Sequence, residues 1–359
     1  MRRVFVSDCE GPISKNDNAF ELAKKLIPEG ASLFRLISRY DDVQADIVHR
    51  PGYRPGDTLK LIVPFLKAHG ATNETLRKLS AEDIKLVKGA EDTLSLLAKH
   101  MPSFIVSTSY EYYVKSLCKI AGFPEENAYC TGLDLDRFKI PEWESEKLRE
   151  WTRRLVKLTP PTIPPDADSI QDLTCEDRAT VALLDEIFWD EMQRMTAGNI
   201  LREIRPVGGL EKVEAIRDIM SKCKVSAAGV IYFGDSITDA EPLKYVRKNG
   251  GVAVSFNGNE YAVREAEIAV LSDHTLVIGI LALAFQKGGI DAVRDLAMNW
   301  SHKKVTRMFN SGLNTKIRSV YRSRLPKVEV INENNKRRLM KESCSFRKKV
   351  RGEIAGSLG

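Results

Sequence analysis

Two carboxylates, Asp8 and Glu10, stand two apart just past a short apolar run, in VFVSDCEGP at residues 4–12. Three more polar groups follow or open segments of regular pattern. The hydroxyls of Ser107, Thr108 and Ser109 follow an apolar run in FIVSTSY (104–110). Lys212 lies near the start of a helical pattern in GGLEKVEAI (208–216). Asp235 and Asp239 follow a third run in VIYFGDSITDAEPL (230–243), where Gly234 permits a tight turn. These residue types suit phosphoryl transfer. A carboxylate can attack phosphorus and form an aspartyl-phosphate. The reacting group is anionic, so a divalent cation and a lysine would stabilise its transition state. Carboxylate oxygens from Asp8 and Asp235 suit Mg²⁺, Ser107 can bind a phosphoryl oxygen, and Glu10 can serve as general acid and then base.

Such residues converge only if the elements before them lie side by side. Residues 3–7, 103–106, 128–131, 229–233, 252–255 and 268–271 read as strands. Helical patterns cover 89–100, 110–121, 210–223, 241–249, 260–266 and 278–284. This alternation predicts an α/β fold, a Rossmann-like parallel sheet flanked by helices. Ligand sites in such sheets gather at the carboxyl ends of the strands, where all four groups fall. The alternation is interrupted twice. Residues 15–87 are mostly helical in pattern, with amphipathic stretches at 19–26, 32–48 and 58–69. Residues 134–205 hold two long helical patterns, 142–158 and 173–204, around a proline-rich connector at 159–165. A further helical pattern covers 290–309, and beyond residue 310 the pattern weakens.

The chain has 359 residues, 43% hydrophobic and 29% charged, which suits a globular protein of about two domains. Six scattered cysteines, none at CxxC spacing, argue against a disulfide framework or a zinc site. The longest clean apolar run, 275–285, is about half of a spanning helix, and the N-terminus lacks a signal-peptide pattern, so no membrane span and a cytoplasmic location are expected. The net charge of +6 is uneven. Residues 301–359 hold 16 Lys and Arg against 4 Asp and Glu, a balance of +12, which leaves −6 for the rest. Such a tail suits nucleic acid, an anionic membrane surface or an acidic protein partner. It equally suits an arm solvated or packed on the acidic body.

The order and spacing of the four groups resemble the motifs of the haloacid dehalogenase superfamily, over roughly residues 1–14, 88–133 and 206–285. The similarity is closest to phosphoserine-phosphatase-like members. VKGAEDTLSLLAKH (87–100) resembles their segment before the second motif, and GGVAVSFNGN (250–259) with REAEIAVLSD (264–273) their stretch after the fourth. The resemblance implies a core of 1–14, 88–133 and 206–290, a helical cap at 15–87, a second helical insertion at 134–205, and a helical to irregular basic extension at 291–359. It implies Asp8 as nucleophile, Glu10 as acid and base, and Ser107 and Lys212 on the phosphoryl oxygens. Asp8, Asp235 and the Glu10 backbone carbonyl would hold Mg²⁺, with Asp239 in support. Thr108 and Ser109 join Ser107 as substrate-binding candidates.

Two departures stand out. Glu10 replaces the usual Asp, one methylene longer, and Pro12 stands where Thr or Val is common. Arg50 and Arg54, in HRPGYRPGD, can hold a substrate carboxylate or phosphate from the cap, although a surface loop with two prolines accounts for them too. The implied activity is a Mg²⁺-dependent phosphatase acting on a small phosphorylated metabolite, phosphoserine being the family-level example. The departures and the basic tail leave open a catalytically weak structural or regulatory subunit. A phosphotransferase that passes the phosphoryl group to another acceptor is a third expectation.

Overall fold

A computed structural model describes residues 2–164, 167–322 and 324–358; Pro165, the end of the proline-rich connector, lies outside them. Among the described residues, seven strands form one sheet: β1 (Val4–Ser7), β2 (Ser103–Tyr110), β3 (Ala128–Thr131), β4 (Val230–Gly234), β5 (Val252–Phe256), β6 (Ile268–Leu271) and β7 (Lys327–Val330). Their order is β3-β2-β1-β4-β5-β6-β7. The first six are parallel, and β7 joins β6 antiparallel.

Strands buried on both faces need continuous apolar sequence, and β1, β4 and β5 have it. Alternate residues supply two cores. Phe5, Ile105, Ile231, Phe233 and Val254 pack with the helix Leu276–Met298 on one face. Val4, Val6, Val230 and Tyr232 pack with the helix Leu210–Cys223 on the other. The chain leaves β1 for β2 on one side and returns to β4 on the other. The carboxyl end of β1 is therefore a switch point, where an open parallel sheet forms its crevice.

The helix Leu276–Met298 is long and apolar enough to cross a membrane by length and composition. Its first ten residues are instead buried against the sheet. It passes through a non-helical Gly289 (φ 70°) and stops at Met298; the pattern at 290–309 is thus split, and a separate helix, His302–Met308, starts at the Ser301 cap.

The two interruptions of the α/β pattern share a third core, which unites Phe20, Phe34, Tyr40 and Phe65 with Leu148, Trp151, Leu184 and Phe188. The Phe188 ring lies 5.8 Å from that of Tyr40 and 6.2 Å from that of Phe65. The Tyr40 hydroxyl donates to Asp185 at 2.5 Å and accepts from Trp189 Nε1 at 2.7 Å. The helical pattern at 173–204 is not continuous. The helix Cys175–Asp185 widens into a π turn over Glu186–Glu191 and ends after a short 3-10 turn. The Glu144 carboxylate then takes the N–H groups of Thr196 and Ala197, at 2.7 and 2.9 Å, so the chain turns there before the short helix Gly198–Glu203.

Because Phe188 is fully buried between the two insertions, Phe188→Ala is expected to cost about 3–5 kcal/mol in denaturant unfolding. A loss below about 1 kcal/mol would mean that the insertions do not depend on a common core.

Candidate functional site

Asp8 follows β1 directly. Its backbone N–H donates to the Phe233 carbonyl at 2.8 Å, extending the pairing of β1 with β4 by one residue, and its Oδ1 accepts from the Cys9 N–H at 2.7 Å. Lys212 comes from the first turn of the helix Leu210–Cys223. Gly208 and Gly209 lead into that helix, and a side chain at Gly208 would meet the Pro55 carbonyl at 2.2 Å. The 15–87 block therefore rests on the loop that delivers the lysine.

Lys212 has no exposed surface. Its Nζ lies 3.0 Å from Asp8 Oδ2 and 2.7 Å from Asp239 Oδ1. Asp239 is saturated: Oδ1 also accepts from the Tyr232 hydroxyl at 2.6 Å, and Oδ2 accepts from the N–H groups of Asp235 and Ser236 at 2.9 and 3.1 Å. Asp239 thus fixes the lysine and the turn after β4 together. The ligand oxygens of Asp8, Asp235 and Asp239 lie within 4.8 Å of one another. Asp235 Oδ1 is buried with no hydrogen-bond partner.

One ammonium cannot neutralise so many buried carboxylates. Burial pushes the Asp8 carboxyl up to about 8, helped by Asp239 and Asp235 and opposed by Lys212. Burial acts against the charge on Asp239 too, but Lys212 and its hydrogen bonds hold it below the ordinary carboxylate range. Burial likewise opposes the Lys212 charge, and Asp239 and Asp8 hold it above the ordinary lysine value. Glu10 is raised well above its usual value by burial and then by Asp17. Its Oε1 accepts from the Asn18 N–H at 2.7 Å, at the N-terminus of the helix Asn18–Leu26. The acid is thereby tied to the start of the first insertion.

Asp8, Glu10, Ser107, Thr108, Ser109 and Asp235 line one cavity of about 90 Å³, enough for a few waters. The hydroxyl residues do not cap the following helix, because β2 runs on to Tyr110 and that helix begins without a side-chain cap. Ser107 Oγ instead accepts from the Ser109 N–H at 3.2 Å, and Thr108 Oγ1 is buried and unpartnered. Lys212 and Asp239 sit behind the cavity wall. Arg50 and Arg54 do not line the cavity. Arg50 pairs with Asp185 at 2.6 Å and stacks on Trp189, and Arg54 pairs with Glu211.

Several wall residues carried no readable sequence signal. Asp41, from the helix Gly30–Asp42, accepts from the Gly56 N–H at 2.8 Å, and its Oδ1 is buried without a partner. Arg347 and Arg351 come from the helix Lys336–Arg351, more than 100 residues after Asp235 in the chain, and both contact its carboxylate. The basic tail is therefore in part an internal counter-charge. Arg338 in the same helix pairs with Glu329 and Glu342. The spacing of Arg347 and Arg351, one helical turn apart, was the available clue.

No family model and no curated protein matches this chain. Among solved structures, the gene product AF1437 from Archaeoglobus fulgidus is similar over 100% of this chain and 99% of its own, with 24% identity and a TM-score of 0.81. That likeness is one of fold. A substrate-bound phosphoserine phosphatase complex aligns over 79% of this chain and 98% of its own, with 13% identity and a TM-score of 0.47. A HAD family hydrolase, t0658 from Salmonella enterica serovar Typhi, aligns over 77% and 70%, with 11% identity and a TM-score of 0.44.

Replacing Lys212 with methionine leaves two buried carboxylates without their cation, and is expected to destabilise the fold by about 3–5 kcal/mol. Chemical denaturation of Lys212→Met checks this; an unchanged midpoint would contradict the geometry. Asp41 supplies a pH test. Burial, then Asp57, pushes its carboxyl up to about 8 from the ordinary 3.8. Its folded-state pKa is raised, so its contribution is full below about 4 and is lost as pH rises through about 8. Asp41→Asn should flatten the decline of unfolding free energy over that window. A slope equal to wild type would show that Asp41 is ionised in the folded chain.

Proposed function

We propose that this chain is a Mg²⁺-dependent phosphomonoester hydrolase of the haloacid dehalogenase type, working through an aspartyl-phosphate on a small phosphorylated metabolite. The observation that carries the reading is the fully buried Lys212 bridging Asp8 and Asp239 at the carboxyl end of β1, beside the hydroxyls that end β2. The motif order along the chain supports it independently.

The residues also fit the cation. Asp8 and Asp235 offer hard carboxylate oxygens, Asp235 Oδ1 is free of hydrogen bonds, and Mg²⁺ favours such donors. These two, with the Glu10 backbone carbonyl, would hold it. When bound, Mg²⁺ adds the positive charge that keeps Asp8 ionised and offsets charge on the phosphoryl group.

In the proposed reaction, Asp8 Oδ attacks phosphorus as the bond to the leaving oxygen breaks. Glu10, whose burial raises its carboxyl and so favours the acid form, gives its proton to that oxygen. Water then attacks the aspartyl-phosphate, Glu10 takes a proton from it, and phosphate leaves with Asp8 restored. Ser107 binds a phosphoryl oxygen, and Lys212 holds the nucleophile in place. The first insertion, through Phe34, Asp41 and Leu59, would exclude water from the reacting group by lining the cavity. Its size favours a small leaving group.

A second reading rests on Arg347 and Arg351. A chain whose Asp235 is neutralised by its own tail can serve as a structural or regulatory subunit without turnover.

The test is phosphate release from a panel of small phosphomonoesters, with Mg²⁺ and with chelator, for wild type and Asp8→Asn. Mg²⁺-dependent release that drops about 10³-fold or more in the variant is the expected result. Turnover retained by Asp8→Asn would exclude the aspartyl-phosphate route, and release by neither protein would favour the subunit.

A further inference from the structure

The last helix of the chain, Lys336–Arg351, packs on the helix Glu260–Glu265 and on β6. Its final turns carry Arg347 and Arg351 on one face, four residues apart, with side chains only 3% and 5% exposed. Arg347 Nη1 donates to Asp235 Oδ2 and, at 2.9 Å, to the Asp235 carbonyl, and its Nη2 donates to the Leu358 carbonyl at 3.0 Å. Arg351 Nη1 lies 3.2 Å from the same Asp235 Oδ2. Its Nε donates to the Lys15 carbonyl at 3.2 Å and its Nη2 to the Asn16 carbonyl.

These contacts distinguish two uses of an arginine pair. A receptor for an anionic ligand keeps the guanidinium fork open toward the ligand. Here every nitrogen of Arg351 is spent on a protein oxygen, and of the Arg347 nitrogens only Nε is unpartnered. The pair is a counter-ion for Asp235 and a clamp on the segment that leads from β1 into the first insertion. The segment after the helix completes the clamp. Gly356 returns so close that a side chain there would meet the Lys348 Cα at 2.6 Å. Leu358 lines the cavity and packs in the core of the helical insertions.

Two guanidinium groups bring to Asp235 the same charge that one divalent cation would bring. Both together would set like charges side by side in a desolvated site, which is strongly unfavourable. We propose that the C-terminal helix is a latch in exchange with a divalent cation: docked arginines and bound cation are alternatives at Asp235, and cation loading releases residues 336–358 and opens the cavity. This rests on the cation site proposed above, and reciprocity requires that each partner weaken the other by the same factor.

The test uses the full chain and Mn²⁺ alone as the probe, with bound and free ion separated by electron paramagnetic resonance. The Arg347→Ala/Arg351→Ala double variant should bind Mn²⁺ about tenfold or more tightly than wild type, and Asp235→Asn should lose binding. Hydrogen exchange of the wild-type chain supplies a readout that needs no variant. Saturating Mn²⁺ should speed exchange in 336–358 while β4 and β5 stay protected. Affinity that is equal or weaker in a folded double variant would overturn the latch and leave the cation site standing, as would unchanged exchange in 336–358 on saturation. Absence of Mn²⁺ binding in every protein would overturn both.

Discussion

A lysine ammonium with no access to water is tolerable only if its charge is answered at contact distance. Lys212 meets that condition between Asp8 and Asp239, and most of the site follows from it. Asp239 must stand where the lysine ends, so the turn after β4 is pinned through its own N–H groups. Asp8 must stand at the end of β1, so β1 lies next to β4. The helix carrying the lysine must begin beside the strand ends, which two glycines and the close approach of Pro55 allow.

The same desolvation leaves a surplus of negative charge. Asp8, Glu10, Asp17, Asp235 and Asp239 crowd a small volume, and Lys212 answers only part of it. The chain resolves the rest in two ways. Burial raises the Asp8 and Glu10 carboxyls, which shifts each toward its neutral form. Asp235 instead draws positive charge from the far end of the sequence. The basic tail and the acidic body are in this respect two halves of one electrostatic arrangement.

The sheet was legible from sequence because β1, β4 and β5 are nearly continuous apolar runs and β2 holds one, FIV, with the site residues just beyond those runs. All six parallel strands lie where the alternation puts them. β7 was not legible: KVEV is four residues long, carries charge and sits at the sheet edge, where one face is enough to hold it. The role of the C-terminal helix was hidden for a different reason. An arginine that answers a carboxylate more than 100 residues away leaves no local pattern beyond its spacing, and in a run of basic residues that spacing is common. Glu10 shows a further limit. Its place beside Asp8 could be read, but not its bond to the Asn18 N–H, which depends on where the first helix of the insertion begins. Arg50 and Arg54 carried the same type signal as true anion ligands, yet neutralise Asp185 and Glu211 within the chain.

The two insertions are separate in sequence and single in space. Tyr40, Phe65 and Phe188 fill one volume from both sides, so a change of size on one insertion is felt on the other. They are therefore constrained to vary together. Exchange of residues 15–87 for another helical segment would strand the apolar face of 134–205, and the reverse holds equally. The shared helical core is one object encoded in two places, and new variants of it must arise by paired small substitutions within that core more readily than by replacement of either piece.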